Sequence, residues 1–90
     1  MPVAIYRREP MTDIAVLCDD VWDLPSQIAE LEVWLVTAAE KISPGDYVAD
    51  VGFKIRRSAS GGGASLSPAT MKVMAELGIT LFLSEYPGKS

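Results

Sequence analysis

The chain contains no histidine and a single cysteine, Cys18. Without histidine there can be no Ser–His–Asp or Cys–His catalytic group and no zinc site built on imidazole. One cysteine cannot form an intrachain disulfide or a Cys-X-X-Cys redox pair, and an unpaired thiol is typical of a reducing compartment. These absences exclude the commonest nucleophilic, redox and zinc chemistries, and we expect neither a metal nor a cofactor.

Long apolar runs and positive charge are also scarce. No run approaches the roughly 18 apolar residues of a membrane span, and Arg7, Arg8 and Glu9 interrupt the early apolar stretch where a signal peptide would lie. The 8 basic and 12 acidic residues give a net charge of −4, which phosphate backbones repel. We therefore predict a cytoplasmic protein that binds neither membrane nor nucleic acid.

The acidic residues are concentrated in one part of the chain. Nine carboxylates lie from Asp13 to Asp50 with only one cation, Lys41, among them, and Lys54, Arg56 and Arg57 follow closely. The pattern fits solvated faces, and it also fits a surface that attracts a basic protein partner, in the manner of an immunity protein that masks a toxin.

Half of the chain is apolar (49%) and 22% is charged, which is typical of a globular protein, and 90 residues suit a single domain, 1–90. Four segments have the composition of strands, with clean alternation of apolar and polar residues in the third. The predicted strands are Val3 to Tyr6, Asp13 to Trp22, Tyr47 to Arg57 and Ile79 to Tyr86.

Two segments have helical signals. Asp23 or Ser26 can cap a first helix, Pro25 suits its opening turn, and an apolar stripe recurs from Ile28 to Ile42. Ser67 and Pro68 open a second helix, which Gly78 ends. The order β-β-α-β-α-β predicts an α+β fold, a two-layer sandwich with a three- or four-stranded mixed sheet and two helices on one face.

Residues 61–68 read Gly-Gly-Gly-Ala-Ser-Leu-Ser-Pro, and a short helix ending in Leu77-Gly78 and an apolar strand closing on Tyr86 follow. With Trp22-Asp23-Leu24 before the first helix, this arrangement resembles the C-terminal part of the bacterial domain-of-unknown-function family 4279, over residues 20–87. The family's N-terminal strand and helix are not visible, so we expect a shortened member or a fragment. The resemblance implies a fold neighbourhood and no activity.

Two helices cannot cover both faces of such a sheet, and losing an N-terminal unit would leave an edge open. We therefore predict a homo-oligomer, with a two-fold dimer as the first expectation. The candidate contacts are the uncovered sheet face, to which Leu17 could also belong, and the N-terminal segment: Val3, Ile5, Tyr6, Val48, Phe82 and Tyr86.

Three further features are candidate sites. Large apolar side chains could line a pocket between sheet and helices: Trp22, Trp34, Phe53, Met71 and Met74. The amides around Gly61, Gly62, Gly63 and Ser67 could bind an anion at a helix N-terminus, although a mobile loop explains the glycines as well. Asp50 and Glu85 could form an acid–base pair if their strands are neighbours.

The remaining candidates have structural explanations. Asp19, Asp20 and Asp23 suit a helix N-terminus better than a metal, and we expect Cys18 to be a packed residue whose acidic surroundings raise its pKa. The sequence thus predicts a small non-enzymatic protein- or ligand-interaction module. The alternative is a small-molecule binder with an apolar pocket.

Overall fold

The computed structural model, which describes residues 2–55 and 60–87, contains six elements in the predicted order. The strands are β1 (Val3–Arg7), β2 (Thr12–Leu17), β3 (Tyr47–Lys54) and β4 (Ile79–Tyr86), and the helices are α1 (Leu24–Lys41) and α2 (Pro68–Leu77). The sheet order is β2-β1-β3-β4, in which β1 is antiparallel to both neighbours and β3 is parallel to β4. This is the predicted α+β architecture with a four-stranded mixed sheet.

The core lies between the sheet and both helices. Ile5, Tyr47, Ala49 and Ile79 of the strands pack with buried residues of α1 and α2, which are Ile28, Leu31, Leu35, Met74 and Leu77. The helices therefore cover one face, here called the helix-side face, and leave the other, the outer face, without a helix. On β3, Tyr47, Ala49 and Val51 of the helix-side face are buried as predicted, but Val48 and Gly52 of the other face are buried as well.

The helix boundaries follow the capping residues. The Asp23 carboxylate accepts a hydrogen bond from the Ser26 amide (3.1 Å) and caps α1, and the Ser67 hydroxyl accepts one from the Thr70 amide (3.1 Å) and caps α2. Gly78 ends α2 in the left-handed conformation, with φ of 82°. These local signals act within a turn of the chain, which is why the sequence reveals them.

The predicted β2 is wrong at its end and on its faces. The strand stops at Leu17, because Cys18 adopts φ of 57° and turns the chain. A register shift opposite Ile5 and Tyr6 breaks the alternation, so Ile14 packs against the core together with Leu17. Leu17 thus lies on the helix side, and Val16 is exposed instead.

The β3 strand also ends earlier than predicted, at Lys54, and Arg56 and Arg57 lie outside the described residues. Val48 is on the outer face as predicted, but it is 5% exposed. It lies in the middle of the sheet between Tyr6 of β1 and Thr80 of β4, so it contributes little to the exposed apolar surface.

Candidate functional site

An aromatic cluster covers one end of the outer face. The Trp22 and Tyr86 rings meet edge to face with centroids 5.7 Å apart, and the Lys54 ammonium lies 4.9 Å from the centroid of the Trp22 ring. The Trp22 carbonyl accepts a hydrogen bond from the Lys54 amide (2.9 Å), which fixes the segment after β2 against the end of β3. Trp22 therefore packs on the outer face of the sheet and not in the predicted pocket between sheet and helices.

Gly52 allows the Tyr86 ring to lie close to the sheet. A β-carbon at Gly52 would stand 2.9 Å from Tyr86 Cε2 and 3.3 Å from the Pro2 carbonyl oxygen. The Gly52 amide donates to that Pro2 carbonyl. The close approach of ring and backbone explains why a glycine occupies this strand position.

Gln27 holds the same region from the helix side. Its side chain is fully buried, and its amide nitrogen donates to the carbonyls of Val21 (2.8 Å) and Gly52 (2.7 Å), while Oε1 has no hydrogen-bond partner among the described residues. Nothing in the local sequence singles out Gln27, because glutamine is usually exposed and the Gly52 carbonyl is distant in the chain.

The five predicted pocket residues do not converge. Trp34 borders a shallow cavity of about 250 Å³ beside Ile14 and Ile42, and Phe53 borders another, beside Leu24 and Gly63. Met74 is buried in the core, whereas Met71 is 49% exposed on α2. In the part of the chain that the structure describes, the five predicted residues therefore line no common pocket. The apolar cavity between α1 and the sheet is bordered by other residues, among them Leu24, Ile28 and Leu83.

The predicted anion site is occupied by the protein's own carboxylate. Glu32 of α1 accepts hydrogen bonds from the Thr70 hydroxyl (2.7 Å) and the Ser67 amide (3.2 Å) at the N-terminus of α2. These bonds hold the pKa of Glu32 below its usual value, with the Thr70 hydroxyl as the largest cause. An external anion at Ser67 would have to displace Glu32. Gly62 and Gly63 border the cavity beside Phe53.

The carboxylate pair proposed from the strands is also wrong. Asp50 lies on the outer face and accepts a hydrogen bond from the Ser84 hydroxyl at 2.7 Å. Glu85 is paired with Phe53 and lies between Ser84 and Tyr86 of the outer face. Because side chains alternate along a strand, the Glu85 side chain projects from the helix-side face. The two carboxyl groups therefore cannot share a proton.

Several acidic residues have partners within the chain. Asp46 forms an ion pair with Arg8 (3.1 Å), and Asp23, Glu32 and Asp50 accept the hydrogen bonds described above. Burial raises the pKa of the Cys18 thiol, and the carboxylates of Glu30 and Asp23 raise it further, as predicted. In the described ranges, 2–55 and 60–87, no group of three or more candidate ligands could hold a metal ion.

Three exposed apolar residues lie on β4, and others lie elsewhere, among them Val33 and Val36 of α1 and Met71 of α2. Phe82 (55%), Leu83 (50%) and Tyr86 (46%) are exposed, and we call these three the β4 patch. Among the other predicted contact residues, Tyr6 is half-buried, and Val3 (0%) and Ile5 (1%) belong to the core. Val3 and Ile5 are thus removed from the predicted contact surface, because β1 is a central strand and not an edge.

Helices that are long and apolar enough to cross a membrane do not occur in the part of the chain that the structure describes. Comparisons of the chain with protein-family profiles, curated proteins and solved structures find no match. The resemblance to family 4279 stays a prediction.

Proposed function

We propose that this chain is a small protein-interaction module that docks other polypeptides along β4. The observation that carries the proposal is the β4 patch, because it places exposed apolar side chains on both faces of one edge strand. Scattered exposed apolar residues are normal on a protein surface, whereas exposed apolar side chains along an open sheet edge favour the pairing of another strand.

The open backbone of β4 and the exposed side chains of the β4 patch both suit the addition of a strand. A partner strand that hydrogen-bonds to β4 would gain main-chain bonds, and its alternate side chains would contact Phe82 and Tyr86 on one face and Leu83 on the other. The small-molecule alternative has less support, because its five candidate residues lie in separate places in the described part of the chain.

The test compares three tagged baits in extracts of the native host, together with a second copy of the chain carrying a different tag. The baits are the wild type, Phe82→Lys in the patch, and Val16→Lys on the opposite edge strand. Val16 is a matched control, because it is 45% exposed and apolar but belongs to β2.

We expect the wild type and Val16→Lys to retain the same polypeptides and Phe82→Lys to lose them. Retention that is equal for all three baits contradicts the proposal. A salt titration identifies the type of partner: a basic protein held by the acidic residues between Asp13 and Asp50 dissociates as salt rises, whereas apolar strand addition persists.

A further inference from the structure

The two edges of the sheet differ in how they are protected against pairing. On β2 the register shift breaks the ladder, and Asp13 places a charge in the six-residue strand. Over its eight residues β4 has an unbroken register with β3, contains neither proline nor lysine, and carries a charge only at Glu85. Natural edge strands usually carry bulges, prolines or charges that prevent pairing, so β4 is built as an edge that accepts a strand.

The register identifies the backbone groups that face outward. The Tyr47 amide donates to the Gly78 carbonyl (3.0 Å), and Tyr47 is paired with Ile79. Because bonding to a parallel neighbour alternates along a strand, the even-numbered residues of β4 bond to β3. The odd-numbered ones direct their amides and carbonyls to the open edge: Ile79, Leu81, Leu83 and Glu85.

The helix layer does not extend along the whole strand. A helix of ten residues such as α2 is about 15 Å long, whereas a strand of eight residues is about 26 Å long. Ile79, at the start of β4, is buried beside Leu77, but Leu83 on the same face is 50% exposed. Beyond α2 the helix-side face of β4 is only partly covered, since Leu83 borders a shallow cavity together with Leu24 and Leu66. On the outer face Tyr86 contacts Trp22, and among the described residues no strand pairs with the open edge of β4.

We propose that the occupant of this edge is the β4 strand of a second copy, paired antiparallel about a two-fold axis through Phe82, to give a continuous eight-stranded sheet. This inference rests on the proposed function and names its partner. A two-fold axis perpendicular to the sheet keeps the outer faces of both copies on one side.

The side chains favour a two-fold axis at Phe82 over one at Leu83. Centring on Phe82 sets Phe82 opposite Phe82, Leu81 opposite Leu83 and Ile79 opposite Glu85, and all four outward-facing residues find partners. Centring on Leu83 sets Leu81 opposite Glu85 and brings Pro87, which has no amide hydrogen, opposite Ile79. The Phe82 register therefore joins apolar side chains at its three central pairs, sets Glu85 against Ile79 only at the two ends, and keeps the two Glu85 carboxylates far apart.

Light scattering measures the first consequence on the full chain. We expect the wild type and Val16→Lys to have twice the chain mass of 9.7 kDa at micromolar concentration, and Phe82→Lys to have the single-chain mass. Two lysines would face each other at the axis in Phe82→Lys and repel. Circular dichroism and urea unfolding of this variant establish that the monomer is folded.

Cysteine cross-linking tests the register in a Cys18→Ser background. In the proposed register the two Phe82 residues face each other as a pair without mutual hydrogen bonds, and the α-carbons of such a pair are about 4.5 Å apart. The two Leu83 residues are diagonal neighbours, which are about 7–8 Å apart. Since a disulfide needs α-carbons within about 7 Å, we expect oxidation to link Phe82→Cys across the axis and to leave Leu83→Cys unlinked. Linkage of Leu83→Cys alone overturns the register.

The possible failures are distinguishable. A monomeric wild type without cross-linking overturns the second-copy inference, and the proposed function still stands if Phe82→Lys loses the captured host proteins. A dimer whose mass does not change in Phe82→Lys overturns the inference as well. A monomer whose three baits retain the same proteins overturns both.

Discussion

Gln27 and Glu32 join segments that are distant in sequence. Gln27 donates hydrogen bonds to the segment before α1 and to the end of β3, and Glu32 of α1 accepts hydrogen bonds at the N-terminus of α2, which begins 36 residues later. Both side chains are on α1, where the sequence gives them the ordinary role of solvated polar residues. Their true roles depend on which carbonyls and amides the fold brings beside them.

Glu32 makes the stability of the helix pair dependent on pH. Its pKa in the folded chain is lowered by the hydrogen bonds from Thr70 and Ser67, so the charged form is the stabilising one. This contribution is present above the ordinary glutamate pKa of about 4.3 and is lost as pH falls through the lower pKa of the folded state. We expect Glu32→Gln to have a lower free energy of unfolding than wild type at pH 7. The difference in unfolding free energy between the two proteins should become smaller as pH falls below about 4.

Urea unfolding at a series of pH values measures this difference. Glu40→Gln is the matched control, since Glu40 is exposed on the same helix, and it should retain the wild-type dependence on pH. A stability difference between Glu32→Gln and wild type that is constant from pH 7 to pH 3 would show that the α2 contact does not depend on the charge.

At the level of elements, the helices were predictable and β2 was not. The capping residues Asp23, Ser67 and Gly78 lie within a turn of the boundaries that they set, so the sequence was sufficient there. The faces of β2 depend on a register shift against β1. A shift in pairing of one residue moves side chains to the other face, and local sequence does not reveal it.

Gly78 joins α2 to β4, and we expect Gly78→Ala to destabilise the protein by about 2–4 kcal/mol. The residue has φ of 82°, and an added β-carbon would overlap the Gly45 carbonyl, whose backbone cannot move freely because the Gly45 amide is bonded to Leu77. Urea unfolding measures the loss. Gly61→Ala is the control, since Gly61 also has positive φ (111°) but none of the described residues lies within 4 Å of an added β-carbon.

The Gly61→Ala control separates the cost of the left-handed backbone conformation from the cost of the contact with Gly45. The left-handed conformation alone should cost about 1 kcal/mol in Gly61→Ala. A loss in Gly78→Ala that is no larger than in Gly61→Ala would mean that the contact with Gly45 makes no contribution.

At the scale of the whole molecule, the order of the strands decides which strands belong to the core and which can pair with another chain. The central strands β1 and β3 each have two strand neighbours, and β2 and β4 have one. The N-terminal strand, which the sequence made a candidate for contact with another subunit, is therefore core, and the last strand is the edge.

Hydrogen exchange should reproduce this arrangement. We expect the slowest amides in β1 and β3 and faster exchange in β2, since edge strands open at lower free-energy cost. The outward-facing amides of Leu81 and Leu83 should exchange slowly in wild type and rapidly in Phe82→Lys, because only the dimer gives them acceptors. Rapid exchange of these two amides in a wild-type dimer would place the interface elsewhere.

The sequence by itself determined the element types, the α+β class and the helix caps, because periodicity and capping act over a few residues. It also determined the exposed surface on one face of the last strand, since alternation gives the faces of Phe82 and Tyr86. Only the tertiary structure decided that Val3 and Ile5 are core, that Glu32 fills the anion position and that β4 is the open edge. Those outcomes depend on strand order and on contacts between distant segments, which a local pattern does not specify.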